Sequence, residues 1–203
     1  MEIHALPIDG AFVITPRQFP DDRGVFLESF RGDKLAAQLG HRPDIVQTNV
    51  SVSSRGTVRG VHYADVPPGQ GKYITALSGS LIDYIIDIRV GSPTFGEWTS
   101  VTLDTADRRA VYLSEGLGHA FCALEDGTTA MYLCTATYNP TGEHGVHPLD
   151  PDLGLAFPEG LVPLLSPKDE AAPTLAEALE QGALPSYAAC TAWARDRATQ
   201  RPN

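Results

Sequence analysis

SLIDYIIDIRV, residues 80–90, has the alternating pattern of a long β-strand. Successive side chains of a strand point to opposite faces of its sheet. One face of this segment carries large hydrophobic side chains, those of Ile82, Tyr84, Ile86 and Ile88. The other face mixes apolar with charged residues: Leu81, Asp83, Ile85, Asp87 and Arg89. We therefore predict a central strand whose charged face either meets solvent or lines a barrel cavity with paired charges.

Further segments with strand character lie on both sides of this one. They are AFVI (11–14), GVFLESF (24–30), DIVQTNVSVS (44–53), KYITAL (72–77), RAVYL (109–113), HAFCAL (119–124) and TAMYLCTATY (129–138). Turn-forming segments such as PPGQG, GSPTFG and EDGT separate them. Short strands spaced about ten residues apart predict an all-β sandwich or barrel rather than alternating βαβ units.

Helical signals are few and lie mainly near the C-terminus. Residues 174–182 begin with a T-x-x-E capping box and end at Gly182, and residues 186–200 form a second candidate helix. A short helix is also predicted over residues 33–40, capped by Asp33 and ended by Gly40. We predict one domain over residues 1–203, with a β core at about 11–150 and a helical extension at about 166–200.

The composition limits the possible partners. Hydrophobic residues make up 42% of the chain, which suits a globular core, and the net charge of −10 argues against nucleic-acid or anionic-membrane binding. The three cysteines lack CxxC spacing and fit a reducing compartment. No signal-peptide core or run of 18 apolar residues is present in the sequence, so we expect a cytoplasmic protein.

Two histidines stand in contexts that suggest chemistry. His62 follows RGV in the basic stretch RGTVRGVHY (55–63), at the predicted end of a strand. His119 lies in SEGLGHAF, where Ser114-x-Gly116-x-x-His119 resembles the second sequence motif of cupins. The alternative for each is a structural histidine hydrogen-bonded to the backbone. Metal-binding cupins carry a second histidine in the first motif, and none follows His62 in HYADVPPGQGK. We therefore predict no metal.

A series of segments resembles one enzyme family. RGVH (59–62), GKYITALSG (71–79), DIRVGSPTFG (87–96), YLSEGLGHAF (112–121), HPLDPDLGLAFP (147–158) and SPKD (166–169) occur in the same order and near-correct spacing as in dTDP-4-dehydrorhamnose 3,5-epimerases. The resemblance covers nearly the whole chain. It implies a cupin-type jelly-roll homodimer with no cofactor, which inverts C3 and C5 of dTDP-4-dehydro-6-deoxy-D-glucose.

Inversion beside a ketone needs a base, a group that stabilises the enolate and an acid on the opposite face. The resemblance assigns the base to His62, supported by the carboxylate of Asp169. It places the ammonium group of Lys72 near the C4 oxygen and makes Tyr132 the proton donor. From local sequence alone, Asp169, Lys72 and Tyr132 would be a turn residue, a surface lysine and a packing residue.

Other residues are implied in substrate binding. In the family, Tyr138 resembles the tyrosine that stacks on thymine, and it would share a strand face with Tyr132 if that strand were unbroken, so the two roles are open to exchange. The other positions that resemble substrate contacts are Arg23, Glu28, Gln47, Thr48, Asn49, Arg59, His119, Glu143 and Lys168. The segment with Arg23 and Glu28 resembles an arm that reaches the partner subunit's site.

Three alternatives remain open from the sequence. The first is a mono-epimerase that acts at C3 or at C5 only, and the second is a cupin that binds a nucleotide sugar without catalysis. The third is a metal-dependent cupin enzyme. Arg55 is expected at the surface without a site role. Because Arg59 and His62 are three residues apart, a regular strand would point them to opposite faces, so both can serve one cavity only if the backbone bulges at Gly60.

Overall fold

The computed structural model describes residues 1–199, which contain thirteen strands and four helices. The strands are β1 (Glu2–Ala5), β2 (Ala11–Thr15), β3 (Gln18–Asp21), β4 (Gly24–Leu27), β5 (Gln47–Ser53), β6 (Val58–Ala64), β7 (Lys72–Ser78), β8 (Ser80–Ile86), β9 (Trp98–Asp104), β10 (Ala110–Leu113), β11 (Gly118–Ala123), β12 (Thr128–Cys134) and β13 (Glu143–Gly145). The helices are α1 (Gly32–Leu39), α2 (Pro167–Glu170), α3 (Leu175–Glu180) and α4 (Tyr187–Thr199).

The strands form two main antiparallel sheets. The first has the order β1-β2-β10-β7-β12-β5 and the second has the order β13-β6-β11-β8-β9, while β3 and β4 pair as a separate hairpin. The two sheets pack face to face around a shared apolar cluster, in the arrangement of a cupin-like jelly roll. The predicted all-β fold with a few short, mainly C-terminal helices is confirmed.

Apolar side chains fill three layers. Ile74, Leu81 and Phe121 belong to the cluster between the two sheets. Tyr84 and Ile86 face the other side of β8 and pack with the segment that follows residue 145, including Leu175 of α3. The outer face of the six-stranded sheet packs on α1 through Tyr73, Tyr112 and Leu35. The C-terminal segments therefore cover a sheet face that would otherwise be exposed.

Both faces of β8 are buried, which decides between the two alternatives for its charged residues. Asp83 points between the sheets and is fully buried. The strand ends at Ile86, so Asp87 and Arg89 lie in the following loop, where they form a buried ion pair at 2.8 Å. The charged face is thus an interior face with paired charges, and burial without these partners would cost several kcal/mol.

Several predicted strand limits are too long. The strands predicted at 24–30, 44–53 and 129–138 occupy 24–27, 47–53 and 128–134. Four strands were not predicted, namely β1, β3, β9 and β13, and β6 extends two residues beyond His62, where the sequence placed its end. In β6 the alternation of side chains between the two sheet faces is interrupted at Gly60. In β9 the exposed Ser100 and Thr102 alternate with the buried Val101 and Leu103.

The predicted helices are close to those observed. The capping box of Thr174 and Glu177 is present, and Gly182 has a positive φ of 66° directly after the C-cap. Helix α1 begins after Arg31, so the prediction that Asp33 caps it is wrong, whereas Gly40 ends it as expected. The helix predicted over 186–200 spans Tyr187–Thr199, and its residue 200 lies outside the described residues. Over residues 1–199, no helix has the length and apolar character to cross a membrane.

Candidate active site

A cleft of about 440 Å³ opens beside β6 and the turn that begins α2. Its lining includes a group of side chains that the sequence nominates for chemistry or substrate binding. They are Arg59, His62, Tyr138, Glu143, Lys168 and Asp169. A nucleotide sugar needs cations for its phosphates and polar groups around its sugar, and this cleft offers both.

A histidine and a carboxylate pair at the wall of this cleft. Nε2 of His62 lies 2.7 Å from Oδ1 of Asp169, and the Asp169 side chain is buried while that of His62 is 36% exposed. Asp169 sits in the first turn of α2, where its amide donates to Oγ of Ser166. Burial favours the protonated carboxyl, but hydrogen bonds from His62 and Ser166 and the charge of His62 lower the pKa of Asp169 below its usual value. The hydrogen bond to an ionised Asp169 fixes the orientation of the imidazole ring.

A bulge at Gly60 brings Arg59 and His62 to the same cleft. His62 pairs with His119 and Arg59 with Phe121, so two residues of β6 lie opposite Ala120. Val58 and Val61 consequently pack in the same apolar cluster, and the residues that follow them point the other way. Gly60 adopts a φ of 127° that disfavours any side chain. The predicted bulge is confirmed.

Lys72 and Tyr132 lie on the inner faces of two neighbouring strands. Lys72 is half-buried at the start of β7 and shares its face with Ile74, which packs between the sheets. Tyr132 packs against the same cluster, and its hydroxyl lies 3.2 Å from Oγ of Ser51 on β5. Burial lowers the pKa of Lys72, although nearby Cys134, Glu143 and Glu115 oppose this. Burial also raises the pKa of Tyr132, so its phenol stays protonated.

Tyr138 occupies a different position from Tyr132. Strand β12 ends at Cys134, so the condition of an unbroken strand through Tyr138 is not met. Tyr138 lies on the cleft rim with 58% of its surface exposed, and its amide donates to Oε1 of Gln47 at 2.9 Å. An exposed ring suits stacking on a base, whereas an enclosed hydroxyl suits proton transfer.

A second histidine–carboxylate pair lies deeper in the barrel. Nε2 of His119 is 2.7 Å from Oδ2 of Asp83, and both side chains are buried. Burial raises the pKa of Asp83, and His119 opposes that shift. The His119 ring also meets the ring of Tyr132 edge-on, with centroids 6.0 Å apart. His119 therefore borders the interior beside Tyr132 rather than the lining of the outer cleft.

Comparison with known proteins places this arrangement in a family. The model of the dTDP-4-dehydrorhamnose 3,5-epimerase family matches residues 5–177. The chain belongs to this epimerase family. The match spans all the predicted site residues and ends before α4. The resemblance seen in the sequence is confirmed.

The relatives of this epimerase family differ in whether their names specify C3 alone or both C3 and C5 as the position of epimerisation. The chain is 53% identical to a dTDP-4-dehydrorhamnose 3-epimerase of Streptomyces niveus, covering 95% of this chain and 92% of the relative. It is 51% identical to a dTDP-4-dehydrorhamnose 3,5-epimerase of Mycolicibacterium smegmatis, covering 95% of each. A solved 3′-monoepimerase of Streptomyces bikiniensis, in complex with dTDP-quinovose, has a TM-score of 0.95 at 46% identity and covers 97% of this chain and 100% of its own.

Eight of the fourteen residues predicted from the epimerase resemblance are not part of the cleft lining. Lys72, Tyr132, His119, Gln47 and Asn49 lie on inner sheet faces, whereas Arg23, Glu28 and Thr48 are exposed on this chain. Arg23, on the exposed β3–β4 hairpin, pairs with Asp21, and Glu28 pairs with Arg31 at 2.9 Å. Thr48 is exposed and, by strand alternation, faces away from Gln47 and Asn49. The Gln47 amide donates to the Asn49 side chain at 2.9 Å, so these two share the inner face. The binding roles of Arg23, Glu28 and Thr48 stay predictions.

Two more predicted binding residues, Arg59 and Glu143, are held by local hydrogen bonds. Nε of Arg59 donates to Oγ of Ser53 at 3.3 Å, and Glu143 accepts from the side chain of Gln70 and the amide of Asn139. Arg55 is exposed, as expected. Its amide donates to Asp126 at 2.8 Å, so Arg55 belongs to a surface turn of this epimerase-family chain.

Sequence reasoning missed three polar neighbours of the site. Asp83 pairs with His119, while Ser51 and Ser53 contact Tyr132 and Arg59. The position of Asp83 between the apolar residues Leu81 and Ile85 could have indicated a buried carboxylate. The serines could not have been found in this way, because a serine on a strand is common on either sheet face. Among residues 1–199, no three His, Cys, Asp or Glu side chains are grouped as metal ligands would be.

Proposed function

We propose that this chain epimerises dTDP-4-dehydro-6-deoxy-D-glucose at C3 and C5 to give dTDP-4-dehydro-L-rhamnose. The hydrogen-bonded pair of His62 and Asp169 at the cleft carries the proposal. Binding alone needs no base with a buried carboxylate behind it, so the pair argues against a non-catalytic cupin. Family membership supplies the substrate class.

The proposed reaction moves protons without a cofactor. His62 takes the proton from the carbon beside the C4 ketone, and the electron pair of that C–H bond moves to the C4 oxygen. The ammonium group of Lys72 stabilises the enolate oxygen, a type of contact worth about 3 kcal/mol of barrier. Tyr132 then donates a proton to the opposite face of the carbon. Solvent returns the proton to the phenolate and receives the one on His62.

The nucleotide is proposed to bind along the cleft rim. Arg59 and Lys168 neutralise the diphosphate, and the guanidinium fork of Arg59 binds two oxygens at once. Tyr138 stacks on the thymine. Gln47 and Asn49 contribute polar edges from the inner face of β5, with Glu143 at the far side of the cleft and His119 at its inner end.

A homodimer is part of the proposal. The outer face of edge strand β5 exposes Val50 and Val52, and the β3–β4 hairpin exposes Phe26 at 67%. Apolar side chains at an unpaired sheet edge favour association with another chain. A partner on this surface lets the hairpin bring Arg23 and Glu28 to the partner's cleft. A cytoplasmic location is also proposed, since the three cysteine thiols are free and buried.

Epimerisation at C3 alone is the second candidate. The relative that is 53% identical is named a 3-epimerase, and the one at 51% is named a 3,5-epimerase. One inversion or two depends on whether the sugar ring turns between proton transfers, while the base and acid stay the same.

Incubation of the protein with the dTDP-4-keto sugar in D₂O, followed by NMR of the ring protons, tests both candidates. We expect deuterium at C3 and C5 and a product with both centres inverted. Deuterium and inversion at C3 alone would establish the second candidate. If neither carbon exchanges with solvent, the proposed function is wrong.

A further inference from the structure

A buried carboxylate outside the cleft joins the C-terminal helix to the strand that carries Lys72. Glu115 lies in the turn between β10 and β11, and 5% of its side chain is exposed. Its Oε1 accepts from Nη1 of Arg197, on α4, at 2.7 Å. The same oxygen accepts from Oγ1 of Thr135 at 2.9 Å. Arg197 is itself largely buried, with 14% of its side chain exposed.

The hydroxyl of Thr135 connects Glu115 to the backbone beside Lys72. While it donates to Glu115, it accepts from the amide of Gly71 at 2.8 Å. The amide of Thr135 donates to the carbonyl of Gly71 at 3.0 Å, which closes the connection. Gly71 immediately precedes Lys72, the first residue of β7. The chain of contacts thus runs from α4 to the start of β7.

Gly71 is also held by close packing. A methyl group there would lie 2.9 Å from Oη of Tyr112, 3.2 Å from Oγ1 of Thr135 and 3.3 Å from Oε1 of Glu115. Such close contacts leave the backbone little room to move. A shift of the Glu115 carboxylate is therefore transmitted to Gly71 and the residue after it.

Glu115 also acts on Lys72 through its charge. Burial lowers the pKa of Lys72, and three groups from separate elements oppose this: Cys134 of β12, Glu143 of β13 and Glu115. Arg197 faces Glu115 from α4, with Asp44 3.8 Å away from Arg197 on the surface side. If Arg197 is removed, the buried carboxylate loses its cationic partner, and Lys72 is a nearby cation that can replace it.

We propose that Arg197, acting through Glu115 and Thr135, is a positioning residue that keeps Lys72 directed to the substrate's C4 oxygen. This inference rests on the proposed function, since it takes Lys72 as the group that stabilises the enolate. Arg197 lies beyond residue 177, where the family match ends.

The test compares variants of the full-length chain by steady-state kinetics. We expect R197A to lower kcat about tenfold with KM changed less than about twofold, because Lys72 acts on charge that develops only in the transition state. R197K restores a cation at the same place and recovers most of kcat. R195A, an exposed arginine on the same helix, is the matched control and keeps the wild-type rate.

The pH profile separates this role from a purely structural one. E115Q removes one of the negative charges that hold the proton on Lys72, so the fall of kcat on the basic side moves to lower pH. A variant that is only destabilised loses kcat equally at all pH values. Should R197A fail to fold by circular dichroism, R197K and E115Q still decide the matter by these two readouts.

Different outcomes of these experiments would refute the positioning role of Arg197, the role of Lys72 or the proposed function. Wild-type kcat in a folded R197A variant, or an unmoved basic limb in E115Q, overturns the positioning role, provided that K72M has lost activity. Full activity in K72M overturns the role of Lys72 and with it this inference. Lack of solvent exchange by the wild-type protein overturns the proposed function instead.

Discussion

His62 and Asp169 lie 107 positions apart in the sequence, yet Nε2 and Oδ1 of these residues are 2.7 Å apart. The pair exists because α2 begins against β6, where the Ser166 cap fixes Asp169 in the first turn. The carboxylate is more buried than the imidazole, so the imidazole is the member of the pair that is exposed to the cleft.

Substitution of this pair is expected to abolish proton abstraction. H62N lowers kcat by about 10³-fold and D169N by about 10²-fold, in line with the usual contributions of a base and of the group that orients it. The measurement is deuterium uptake into the dTDP-4-keto sugar. Affinity for dTDP, measured by calorimetry, should stay near wild type. Uptake by H62N at more than about a tenth of the wild-type rate would assign the base elsewhere.

The two tyrosines are expected to differ in the step they affect. Y132F removes the proposed acid, so inversion falls by about 10²-fold while exchange with retention continues through His62. Y138A loses stacking on thymine and raises KM, by about tenfold for one aromatic contact of about 1.4 kcal/mol. The stereochemistry of the product and its deuterium content, measured in the same reaction, distinguish loss of inversion from loss of exchange. The opposite pattern would exchange the two assignments.

The basic side of the pH profile is expected to follow Lys72. Burial lowers the pKa of Lys72 from 10.5, and the enolate needs the protonated form, so kcat falls as pH rises through that lowered pKa. The raised pKa of Tyr132 keeps the acid protonated over the same range. K72R stays charged, so its kcat is lower at neutral pH but lacks this fall. A basic limb that persists unchanged in K72R contradicts the assignment.

Mixed dimers test whether the β3–β4 hairpin serves the partner's site. Neither R23A nor H62N alone should turn over substrate well. In an equilibrated equal mixture, half of the dimers are hybrids with one intact site, so about a quarter of wild-type activity returns if Arg23 acts across the interface. If Arg23 acts in its own chain, mixing restores nothing. Dimer formation itself is checked by sedimentation of V50E, which we expect to be monomeric.

Gly60 is expected to tolerate no side chain. A methyl group would lie 2.5 Å from the carbonyl oxygen of His119 and 2.6 Å from Cα of Ala120, at a φ of 127°. G60A should therefore lower the free energy of unfolding by about 3 kcal/mol in urea titration at fixed protein concentration. G91A, with a positive φ but open space, is the control and should cost about 1 kcal/mol. An equal loss of unfolding free energy in G60A and G91A would show that the neighbouring backbone moves to accommodate the methyl group at residue 60.

Alternation and turn residues predicted the all-β fold because most strands bury one face. The same rule predicted the bulge at Gly60 of β6, because a regular strand would have pointed Arg59 and His62 to opposite faces. It failed to place Tyr138, since nothing in MYLCTATY marks the end of the strand at Cys134. Local pattern carries no information about contacts across more than a hundred residues, so the pairing of His62 with Asp169 came from family resemblance.

Neither the local sequence pattern nor the family resemblance predicted the partners of His119 and Arg197. The sequence left open whether Asp83 meets solvent or lines a cavity, and its pairing with His119 depends on the register of β8 against β11. Arg197 lies in a helix that also carries Arg195, and only the packed structure shows which arginine turns inward.

The bulge in β6 has a consequence for the substrates that this cleft discriminates. Arg59 and His62 are separated by at most about 10 Å of backbone, and the surrounding strands hold that span fixed. Under the proposed function, the group that binds phosphate and the base that takes the proton are therefore held at one fixed backbone separation. Substrates that differ in the length between phosphate and reacting carbon are expected to react more slowly than substrates that differ only elsewhere on the sugar ring.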